Sequence, residues 1–414
     1  MFFIDIIYLL ALIIYLPFNL KLVLNLKYRK LIKRRFSPDI EPDNKGSIWI
    51  HAVSVGEVRS LGRFVSLLQK TDDRRIVLSV TTPSGFNEAK KIFKNIVVLN
   101  GPLDLSFVVK KFIAKIDPDI IILNELEIWP NWIFAANRKK IPVTVVNGRM
   151  SDKAFERYKL FSVVTKRFFR GIRLFLLQGE NYRERFIKLG AKNSSIRICG
   201  NIKADEAIFA MKTVRESGEI FKMLGMGIKN KKILLFASTH KTDEVIFIPL
   251  IEELSNHYTI IIAPRHVDRI GEIKKELGKY NVSWVVGKKD SVGNKVPIIF
   301  DKMGYLAELM SISDIVFMGG SFSSDIGGHN LYEPAILGKK IVGGPFHNNF
   351  PSIGEELIKN NAYTVVYDKG ELFDILMSFI NKRTNLSCES AKSSVIKMSG
   401  AIECSVKEVL KLIN

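Results

Sequence analysis

The sequence predicts two open α/β domains, each built on a parallel sheet with crossover helices. Short apolar, β-branched runs alternate with helical stretches from residue 47 onward, and this alternation pauses at a polar interval near residues 205–230 before it restarts. The length of 414 residues exceeds what one ordinary core needs, and a hydrophobic fraction of 47% excludes a disordered chain. We therefore expect a doubly wound fold with two sheets.

The predicted strands divide evenly between the two halves of the chain. They are IWIHAVS, IVLSVTT, DIIILNE, PVTVVN and LFLLQ in the first half, and KILLFAS, YTIIIAP, WVVG, DIVFMGG and KIVGG in the second. We predict an N-terminal domain over residues 36–210 and a C-terminal domain over residues 211–414, whose last helix could instead pack on the first domain. Open α/β sheets bind ligands beyond the carboxyl ends of their strands, so the two domains are expected to share a ligand cleft.

The first residues, MFFIDIIYLLALIIYLPFNL, are almost wholly apolar, although Asp5 and Pro17 interrupt the run. A helix of this length can cross a hydrocarbon core of roughly 30 Å. Basic residues follow the run instead of preceding it, which predicts an uncleaved inner-membrane anchor over residues 1–26 and a cytoplasmic location for the rest. An apolar helix that lies in the interface or packs on the domain is the alternative. The flanking basic residues are Lys21, Lys27, Arg29, Lys30, Lys33, Arg34 and Arg35.

A formal charge of +20, from 62 Lys and Arg against 42 Asp and Glu, predicts an anionic partner. Nucleic acid, anionic lipid and phosphorylated small molecules all qualify. Residues 157–173, RYKLFSVVTKRFFRGIR, concentrate this charge and contain no acid. This stretch could face membrane phosphates, or it could form an amphipathic helix that buries Leu160, Val164 and Phe168 and solvates its basic face.

The pattern of cysteines and histidines gives little support to a disulfide or a metal site. Cys199, Cys388 and Cys404 are odd in number and widely separated, which predicts no disulfide framework and a reducing compartment. The six histidines form no HExxH motif and no i,i+4 pair. The D-x-D sequence at residues 117–119 precedes its strand, so we interpret it as a turn. We predict no metal and no cofactor, and assign His240, His266 and His329 as hydrogen-bond donors.

A glutamate follows the first predicted strand. In WIHAVSVGEVRS the strand ends at Ser54, turns through Gly56 and begins a helix near Glu57. A turn of small residues lets a substrate hydroxyl approach the carboxylate closely enough for proton transfer. Compensation of the helix dipole is the alternative role for Glu57.

Two further glutamates end the strand of NELEIWPNW. Strand alternation predicts that Glu125 and Glu127 lie on the same face of an extended segment. An apolar strand rarely ends in two acids unless its end is solvated or paired with cations, and Lys203 in GNIKAD is the candidate cation. An exposed salt bridge without function is the alternative.

The second half contains a glycine-rich loop between a strand and a helix, GGSFSSDIGGHNLYEPAILGK at residues 319–339. Its backbone amides, beginning with Gly319, Gly320 and Ser321, can hold a phosphate at the start of a helix capped near Asn330. Glu333 could accept hydrogen bonds from ribose hydroxyls. The loop lacks the spacing of P-loop and dinucleotide-binding motifs, so a nucleotide sugar is the favoured ligand. Arg265 in APRH follows another strand, where a guanidinium can bind a phosphate.

Together these motifs resemble the 3-deoxy-D-manno-octulosonic acid (Kdo) transferases of lipopolysaccharide synthesis. The resemblance runs in order over residues 47–355 through WIHAVSVGE, NELEIWPNW, VNGRMS, GNIKAD, ASTH, PRH, GGSF…GGHNLYEPAILGK and GGPFHNNF. It implies a GT-B fold of two Rossmann-like domains facing a cleft, and metal-independent, inverting transfer of Kdo from CMP-Kdo to a lipid A precursor, lipid IVA.

The resemblance also implies roles for individual residues. Glu57 would be the general base, with Glu125 and Lys203 as transition-state stabilisers. This chain has NELE where the family usually has ETE, which leaves the choice between Glu125 and Glu127 open, and GYL where the family has a Gly-Glu pair. Contacts to the CMP group would come from Pro264, Arg265, Gly304, Tyr305, Leu306, Asn330, Leu331, Tyr332 and Glu333.

Two rival functions remain at this stage. A sugar-nucleotide 2-epimerase with the same fold would need neither lipid nor anchor. A membrane-tethered nucleic-acid-binding protein would use the positive charge, but the recognised binding motifs are missing, so we predict no nucleic-acid partner.

Overall fold

A computed structural model describes residues 5–6, 8, 26–41, 46–212, 217–224, 232–286, 296–381 and 387–414. The chain divides into two compact units: unit 1 contains residues 1–205 and 398–414, and unit 2 contains residues 206–397. The boundary between the units lies between Asp205 and Glu206, whereas the sequence predicts a domain boundary at residue 210. The last helix belongs to unit 1.

Unit 1 alternates strands with helices along most of its length. Its elements are α1 (Leu26–Phe36), β1 (Ser47–Ala52), α2 (Val55–Ser60), α3 (Gly62–Thr71), β2 (Arg75–Val80), α4 (Pro83–Ile92), β3 (Val97–Asn100), α5 (Ser106–Ile116), β4 (Pro118–Asn124), α6 (Pro130–Arg138), β5 (Val143–Gly148), α7 (Asp152–Leu160), α8 (Ser162–Gly171), β6 (Leu174–Leu177), α9 (Arg183–Lys188) and β7 (Ile196–Ile198). Helix α10 (Ile202–Lys212) leads into unit 2.

The sheet of unit 1 has seven parallel strands in the order β3-β2-β1-β4-β5-β6-β7. Strand β1 is buried throughout, and its side chains alternate between two cores: Ile48 and Ile50 pack on one face, Trp49 on the other. The order reverses between β1 and β4. A doubly wound sheet binds ligands at such a reversal, beyond the carboxyl ends of the strands.

Unit 2 repeats this architecture. Its elements are α11 (Ser217–Met223), β8 (Lys232–Thr239), α12 (Lys241–Phe247), α13 (Ile251–Leu254), β9 (Tyr258–Pro264), α14 (Ile270–Lys279), β10 (Val285–Val286), β11 (Ile298–Ile299), α15 (Leu306–Ile312), β12 (Ile315–Met318), α16 (Tyr332–Ile336), β13 (Lys340–Gly343), α17 (Pro351–Lys359), β14 (Tyr363–Val365), α18 (Lys369–Ile380) and α19 (Cys388–Lys397). The seven-stranded parallel sheet has the order β10-β11-β9-β8-β12-β13-β14, which reverses between β8 and β12.

The final helix, α20 (Ala401–Leu410), is fixed to unit 1 by a carboxylate and a disulfide. Asp205 accepts hydrogen bonds from the backbone N–H groups of Gly400 (2.6 Å) and Ile402 (2.7 Å), where a helix N-terminus favours negative charge. Cys199 and Cys404 form a disulfide between residues 205 positions apart. The prediction of no disulfide was therefore wrong, because residue spacing does not show that α20 brings Cys404 next to Cys199.

The predicted anchor over residues 1–26 lies almost wholly outside the described residues. Within the described ranges, no helix combines the length and the apolar character needed to cross a membrane. Part of the predicted basic flank has a structural role, because Arg35 is partly buried and its Nε donates to the carbonyl of Gly101 at 2.9 Å. Asp5 accepts from the N–H of Ser106 at 2.8 Å, at the start of α5.

The basic stretch at residues 157–173 forms the end of α7 and most of α8. Phe168 is buried, as the amphipathic interpretation predicts. Leu160 and Val164 are exposed, so that interpretation was wrong for these two residues. The helical conformation is interrupted at Phe161, between α7 and α8. Because of this interruption, Leu160 and Val164 do not continue the buried face of one long helix.

Candidate active site

Glu57 lies at the reversal of the first sheet, in the first turn of the helix that follows β1. Its Oε2 accepts from the N–H of Val53 (3.1 Å) and from Asn124 Nδ2 (3.3 Å), and its Oε1 accepts from Ser54 Oγ (3.1 Å). Ser54 caps the helix in return by accepting from the N–H of Glu57 at 3.3 Å. These contacts fix the carboxylate in one orientation beside the end of β4.

The environment of Glu57 makes it a stronger base than an ordinary glutamate. Burial raises the pKa of the carboxyl, and the negative charge of Glu125 raises it further, while the hydrogen bonds oppose this rise. A raised pKa favours proton uptake near neutral pH. Glu57 does lie in the first helical turn, as the helix-dipole alternative requires. Compensation of a helix dipole does not account for the burial of Glu57 beside the negative charge of Glu125.

Glu125 differs from the extended conformation that the sequence predicts. Strand β4 ends at Asn124, and Glu125 has a left-handed φ of 56°, which is uncommon for a residue other than glycine. The alternation argument for Glu125 and Glu127 was therefore wrong. The turn directs Glu125 toward two cations: its Oε2 accepts from Arg149 Nε at 3.1 Å, and its Oε1 lies 3.4 Å from Lys203 Nζ. The predicted ion pair with Lys203 is confirmed.

The two neighbouring acids have opposite electrostatic environments. Burial tends to raise the pKa of Glu125, but Lys203 and Arg149 outweigh it and hold the pKa below its ordinary value. Burial raises the pKa of Glu127 to about 7, and the charges of Glu57 and Glu125 add to this rise. Glu125 is therefore ionised at neutral pH, whereas Glu127 is a carboxyl that can bind or release a proton.

A polar network holds the start of helix α10, where Lys203 lies. Asn147 accepts from the N–H of Ile202 (3.2 Å), and Asn201 accepts from the N–H of Lys203 (3.0 Å) while it donates to Gln178 (2.9 Å). Asn147 and Asn201 are buried, so the network is shielded from water. The loop after β7 is thereby fixed next to the loops after β4 and β5.

Two other motif residues of unit 1 have structural positions. His51 is buried against Ser79 and Thr81, and burial lowers its pKa to about 3, so it is neutral. Asp117 ends α5 in the left-handed conformation, before β4 begins and away from the carboxyl end of that strand. In the part of the chain that the structure describes, no three His, Cys, Asp or Glu side chains are grouped as a metal ion would need.

The candidate nucleotide loop of unit 2 starts at the reversal of the second sheet. Gly319 follows β12 so closely that a Cβ there would meet the carbonyl oxygen of Ser238 at 2.5 Å. The buried carboxylate of Asp243 accepts from the N–H groups of Gly320 (2.7 Å) and His240 (2.9 Å). Ser321 is buried and donates to the carbonyl of Met318, so its hydroxyl supports the loop.

The end of this loop carries its more accessible polar groups. Asn330 accepts from the N–H of Tyr332 at 3.0 Å and donates to Glu333 at 2.9 Å. It lies one residue before the N-cap of α16, which is Leu331 and makes no side-chain capping bond. Burial raises the pKa of Glu333. Leu331 and Tyr332 are buried, so these two candidates would contact a ligand only through their backbone.

A cationic and imidazole cluster stands at the ends of β8 and β9. Arg265 is exposed directly after Pro264, which ends β9. His240 and His329 share a hydrogen bond between their Nε2 atoms at 2.8 Å, and the His266 ring lies 5.9 Å from that of His240. Burial lowers the pKa of His329 to about 4, and the charge of Arg265 contributes, so this pair is neutral at neutral pH. Gly304, with a φ of 89°, is exposed before α15, which begins at Leu306 after Tyr305.

Sequence reasoning missed three residues that the structure places at these sites. Arg149 follows β5 and pairs with Glu125, Asn124 ends β4 and bonds Glu57, and Asp243 fixes the glycine-rich loop. Arg149 and Asp243 follow predicted strands and Asn124 lies near the end of one, within or next to the quoted motifs VNGRMS, ASTH and NELE. A position at or just after the end of a strand was the available signal.

Comparison with known proteins assigns the fold first. A UDP-GlcNAc 2-epimerase from Neisseria meningitidis superimposes with a TM-score of 0.60 over 89% of this chain and 99% of its own, at 12% identity. At that identity the likeness concerns the fold alone, which is a GT-B-like α/β fold with two parallel seven-stranded sheets.

Sequence relatives then assign the family. Residues 29–206 match the family described as 3-deoxy-D-manno-octulosonic-acid transferase (kdotransferase). A 3-deoxy-D-manno-octulosonic acid transferase from Rickettsia bellii is 30% identical over 92% of this chain and 91% of its own length. A bifunctional glycosyltransferase/methyltransferase from Fusobacterium nucleatum is 32% identical over 91% of this chain, which spans 58% of that longer protein. The chain belongs to the 3-deoxy-D-manno-octulosonic acid transferase family.

Proposed function

We propose that the protein transfers Kdo from CMP-Kdo to a lipid A precursor, lipid IVA, with inversion at the anomeric carbon. The observation that carries this proposal is the carboxylate of Glu57, which is buried at the reversal of the first sheet, oriented by three donors and raised in pKa, in a chain of the Kdo transferase family. These are the properties that a general base needs.

In this mechanism Glu57 removes the proton from a glucosamine primary hydroxyl as that oxygen attacks the anomeric carbon. The carbon–oxygen bond to CMP breaks on the opposite face, which inverts the configuration. The hydrogen bonds from Val53 and Asn124 keep the carboxylate in place through proton transfer.

Glu125 and Lys203 act together with Arg149 in this proposal. The donor sugar is an acid, and the two cations can stabilise its carboxylate and the charge that develops near it. Glu125 holds both cations at 3.1 and 3.4 Å, and it stays ionised because they lower its pKa. Its role is to orient them.

The CMP group is assigned to unit 2. Arg265 supplies a charge to the departing phosphate, and the backbone at Asn330 supplies N–H donors without a metal ion. Glu333 retains one carboxylate oxygen for a ribose hydroxyl, because Asn330 bonds only Oε1. Gly304, Tyr305 and Leu306 border the nucleotide in the same assignment.

The acceptor is a lipid, so we also propose that the protein works at a membrane, held by its apolar N-terminal run and by its net charge of +20. Anionic lipids of the inner leaflet are the predicted contact.

The experiment is an incubation of the purified full chain with CMP-Kdo and lipid IVA, followed by mass spectrometry of the lipid. The expected product gains Kdo mass, and nuclear magnetic resonance should show the opposite anomeric configuration to the donor. An unchanged lipid together with conversion of a water-soluble sugar nucleotide alone would favour the epimerase and contradict the proposal.

The metal-free mechanism has its own test. Transfer should persist after EDTA treatment, because residues of the protein neutralise the leaving group. Loss of transfer with EDTA and recovery with magnesium would refute this part.

A further inference from the structure

The stretch of chain that carries Lys203 is held against a distant part of unit 1, residues 398–404, which we call the C-terminal segment. A Cβ on Gly200 would meet the carbonyl oxygen of Met398 at 2.5 Å, and the φ of Gly200 is 97°. Only glycine therefore permits this approach of the two backbones. The same carbonyl accepts from the N–H of Asn201 at 3.0 Å. The first contact thus lies two residues before Lys203.

Asp205 makes a second contact with the C-terminal segment, two residues after Lys203. Its buried carboxylate accepts from the N–H groups of Gly400 at 2.6 Å and Ile402 at 2.7 Å, at the start of α20. Hydrogen bonds to an ionised carboxylate are roughly twice as strong as neutral ones, and a helix N-terminus favours the negative charge. The backbone of Lys203 is therefore held on both sides.

Asp205 and Lys203 project from opposite sides of α10. A helix with 3.6 residues per turn rotates by about 100° per residue, so side chains two positions apart point about 200° apart. Asp205 contacts the start of α20 on one side, and Nζ of Lys203 lies 3.4 Å from Oε1 of Glu125 on the other. The first turn of α10 thus connects the C-terminal segment to the acidic group beside Glu57.

The ammonium group of Lys203 depends on its backbone for its position. Lysine has a flexible four-carbon stem, and it binds as a point charge without the rigid fork of arginine. The side chain is 25% exposed, so water competes for the ion pair with Glu125. A shift of the helix start by about 1 Å would take this contact beyond the roughly 4 Å limit of an ion pair, and a misplacement of that size can cost about 10²-fold in rate.

We propose that Asp205 is a positioning residue of the transfer reaction: through its bonds to the C-terminal segment it fixes the start of α10, so that Lys203 stays beside Glu125. The catalytic part of this inference rests on the proposed function, whereas the placement of Lys203 does not. An Asp205 that only capped α20 would stabilise the fold without acting through Lys203. The experiments separate these two roles.

The first experiment is a double-mutant cycle on kcat. Asp205→Asn keeps the shape of the side chain, but its amide nitrogen cannot accept the second N–H. We expect kcat to fall at least about tenfold in the otherwise unmodified chain. In a Lys203→Met background the same change should lower kcat less than about twofold, because one residue acts through the other. A tenfold fall in both backgrounds would overturn the proposal.

The Asp205→Asn variant should fold, since the disulfide between Cys199 and Cys404 and the buried Ile402 still hold α20 on unit 1. Its thermal unfolding is recorded beside the kinetics. If it does not unfold cooperatively, Asp205→Glu replaces it in the cycle. That variant retains the charge at the helix start, and its additional methylene group displaces α10, so the same dependence on Lys203 is expected.

The matched control removes a carboxylate from the start of another helix. Asp368 caps α18 in unit 2 by accepting from the N–H of Glu371 at 2.9 Å. Asp368→Asn should keep kcat within about twofold of the unmodified chain, because asparagine caps helices about as well as aspartate. A fall as large as that of Asp205→Asn would refute a specific role for Asp205.

The second experiment needs no substrate. The folded proteins are treated with a trace of acetic anhydride, and peptide mass spectrometry gives the acetylation rate of each lysine. Loss of a partly exposed ion pair should raise the rate at Lys203 at least about twofold in Asp205→Asn. Lys192, an exposed lysine of the same unit, should react equally in both proteins and is the internal control. Unchanged labelling of Lys203 would contradict the positioning role.

The labelling result does not depend on Kdo transfer. Faster acetylation of Lys203 in a chain that transfers no Kdo would refute the proposed function and support the placement of this lysine. Transfer of Kdo with unchanged labelling and additive losses of kcat would refute the role of Asp205 alone.

Discussion

The replacement of Glu57 by glutamine separates the chemistry of this residue from its structural role. Glutamine has the same shape, and its Oε1 can accept from Val53 and Asn124 in place of the carboxylate Oε2. Its amide can donate to Ser54 Oγ, so every contact of Glu57 has a counterpart. We expect the free energy of unfolding to change by less than about 1 kcal/mol.

The effect on turnover should be large. An amide cannot take a proton from the acceptor hydroxyl, and general-base catalysis contributes about 10² to 10⁴ in rate. The Glu57→Gln variant should therefore lose roughly 3 to 5 kcal/mol of transition-state stabilisation. In the unmodified enzyme the rate should rise with pH as Glu57 loses its proton, at a pH above that of an ordinary glutamate because its pKa is raised.

The assay combines CMP release, measured with lipid acceptor present, with thermal unfolding of the same samples. The matched control is Ser54→Ala, which keeps the base but removes the helix cap, at a cost of about 1 kcal/mol in stability. Its turnover should fall far less than that of Glu57→Gln. Full turnover in Glu57→Gln would refute the assignment of the base, and a fall of many degrees in its melting temperature would show that the charge is needed for folding.

Three further predictions concern Lys203, Glu127 and the disulfide. Lys203→Met should raise the pKa of Glu125 and lower kcat at least about tenfold, as measured in the transfer assay, because Arg149 alone would then balance a buried acid. A Lys203→Arg variant should recover part of that loss, and equal kcat values for all three proteins would contradict the role of the cation. The pKa of Glu127 is raised to about 7, so its protonated form stabilises the fold, and this contribution is lost as pH rises from about 4 through 7. In urea titrations over that pH range, Glu127→Gln should therefore lose less stability than the unmodified protein. Identical pH profiles of the two proteins would refute the raised pKa. Cys404→Ser should lower the free energy of unfolding by roughly 2 to 5 kcal/mol under non-reducing conditions, because the disulfide closes a long loop. Peptide mapping of the unmodified protein that finds both cysteines free would contradict the bond to Cys199.

The positions of the candidate residues could be predicted because they depend on local sequence. An apolar, β-branched run ends where polar residues begin, so the sequence predicts Glu57, Glu125 and Arg265 at strand ends. Parallel sheets bring such ends to one edge. The predicted partnership of Glu125 with Lys203 followed from this rule, and the ion pair bears it out.

The detailed geometry could not be predicted in the same way. Strand alternation assumed an extended chain at Glu125, but the residue adopts a left-handed conformation in which it pairs with Arg149 and Lys203. The exposure of Leu160 depends on a helix break at Phe161, which periodicity across the whole stretch does not reveal.

The sequence alone determined the strand-and-helix order and the two sheets, since both follow from short-range patterns of apolar and turn residues. Its ordered motifs indicated the family by resemblance. The tertiary structure decided which acid stays charged, which carboxyl titrates near neutrality, which cysteines pair and which apolar side chains stay in solvent. These properties depend on burial and on distances between residues far apart in the chain, because desolvation and Coulomb interactions are set by three-dimensional surroundings and not by sequence spacing.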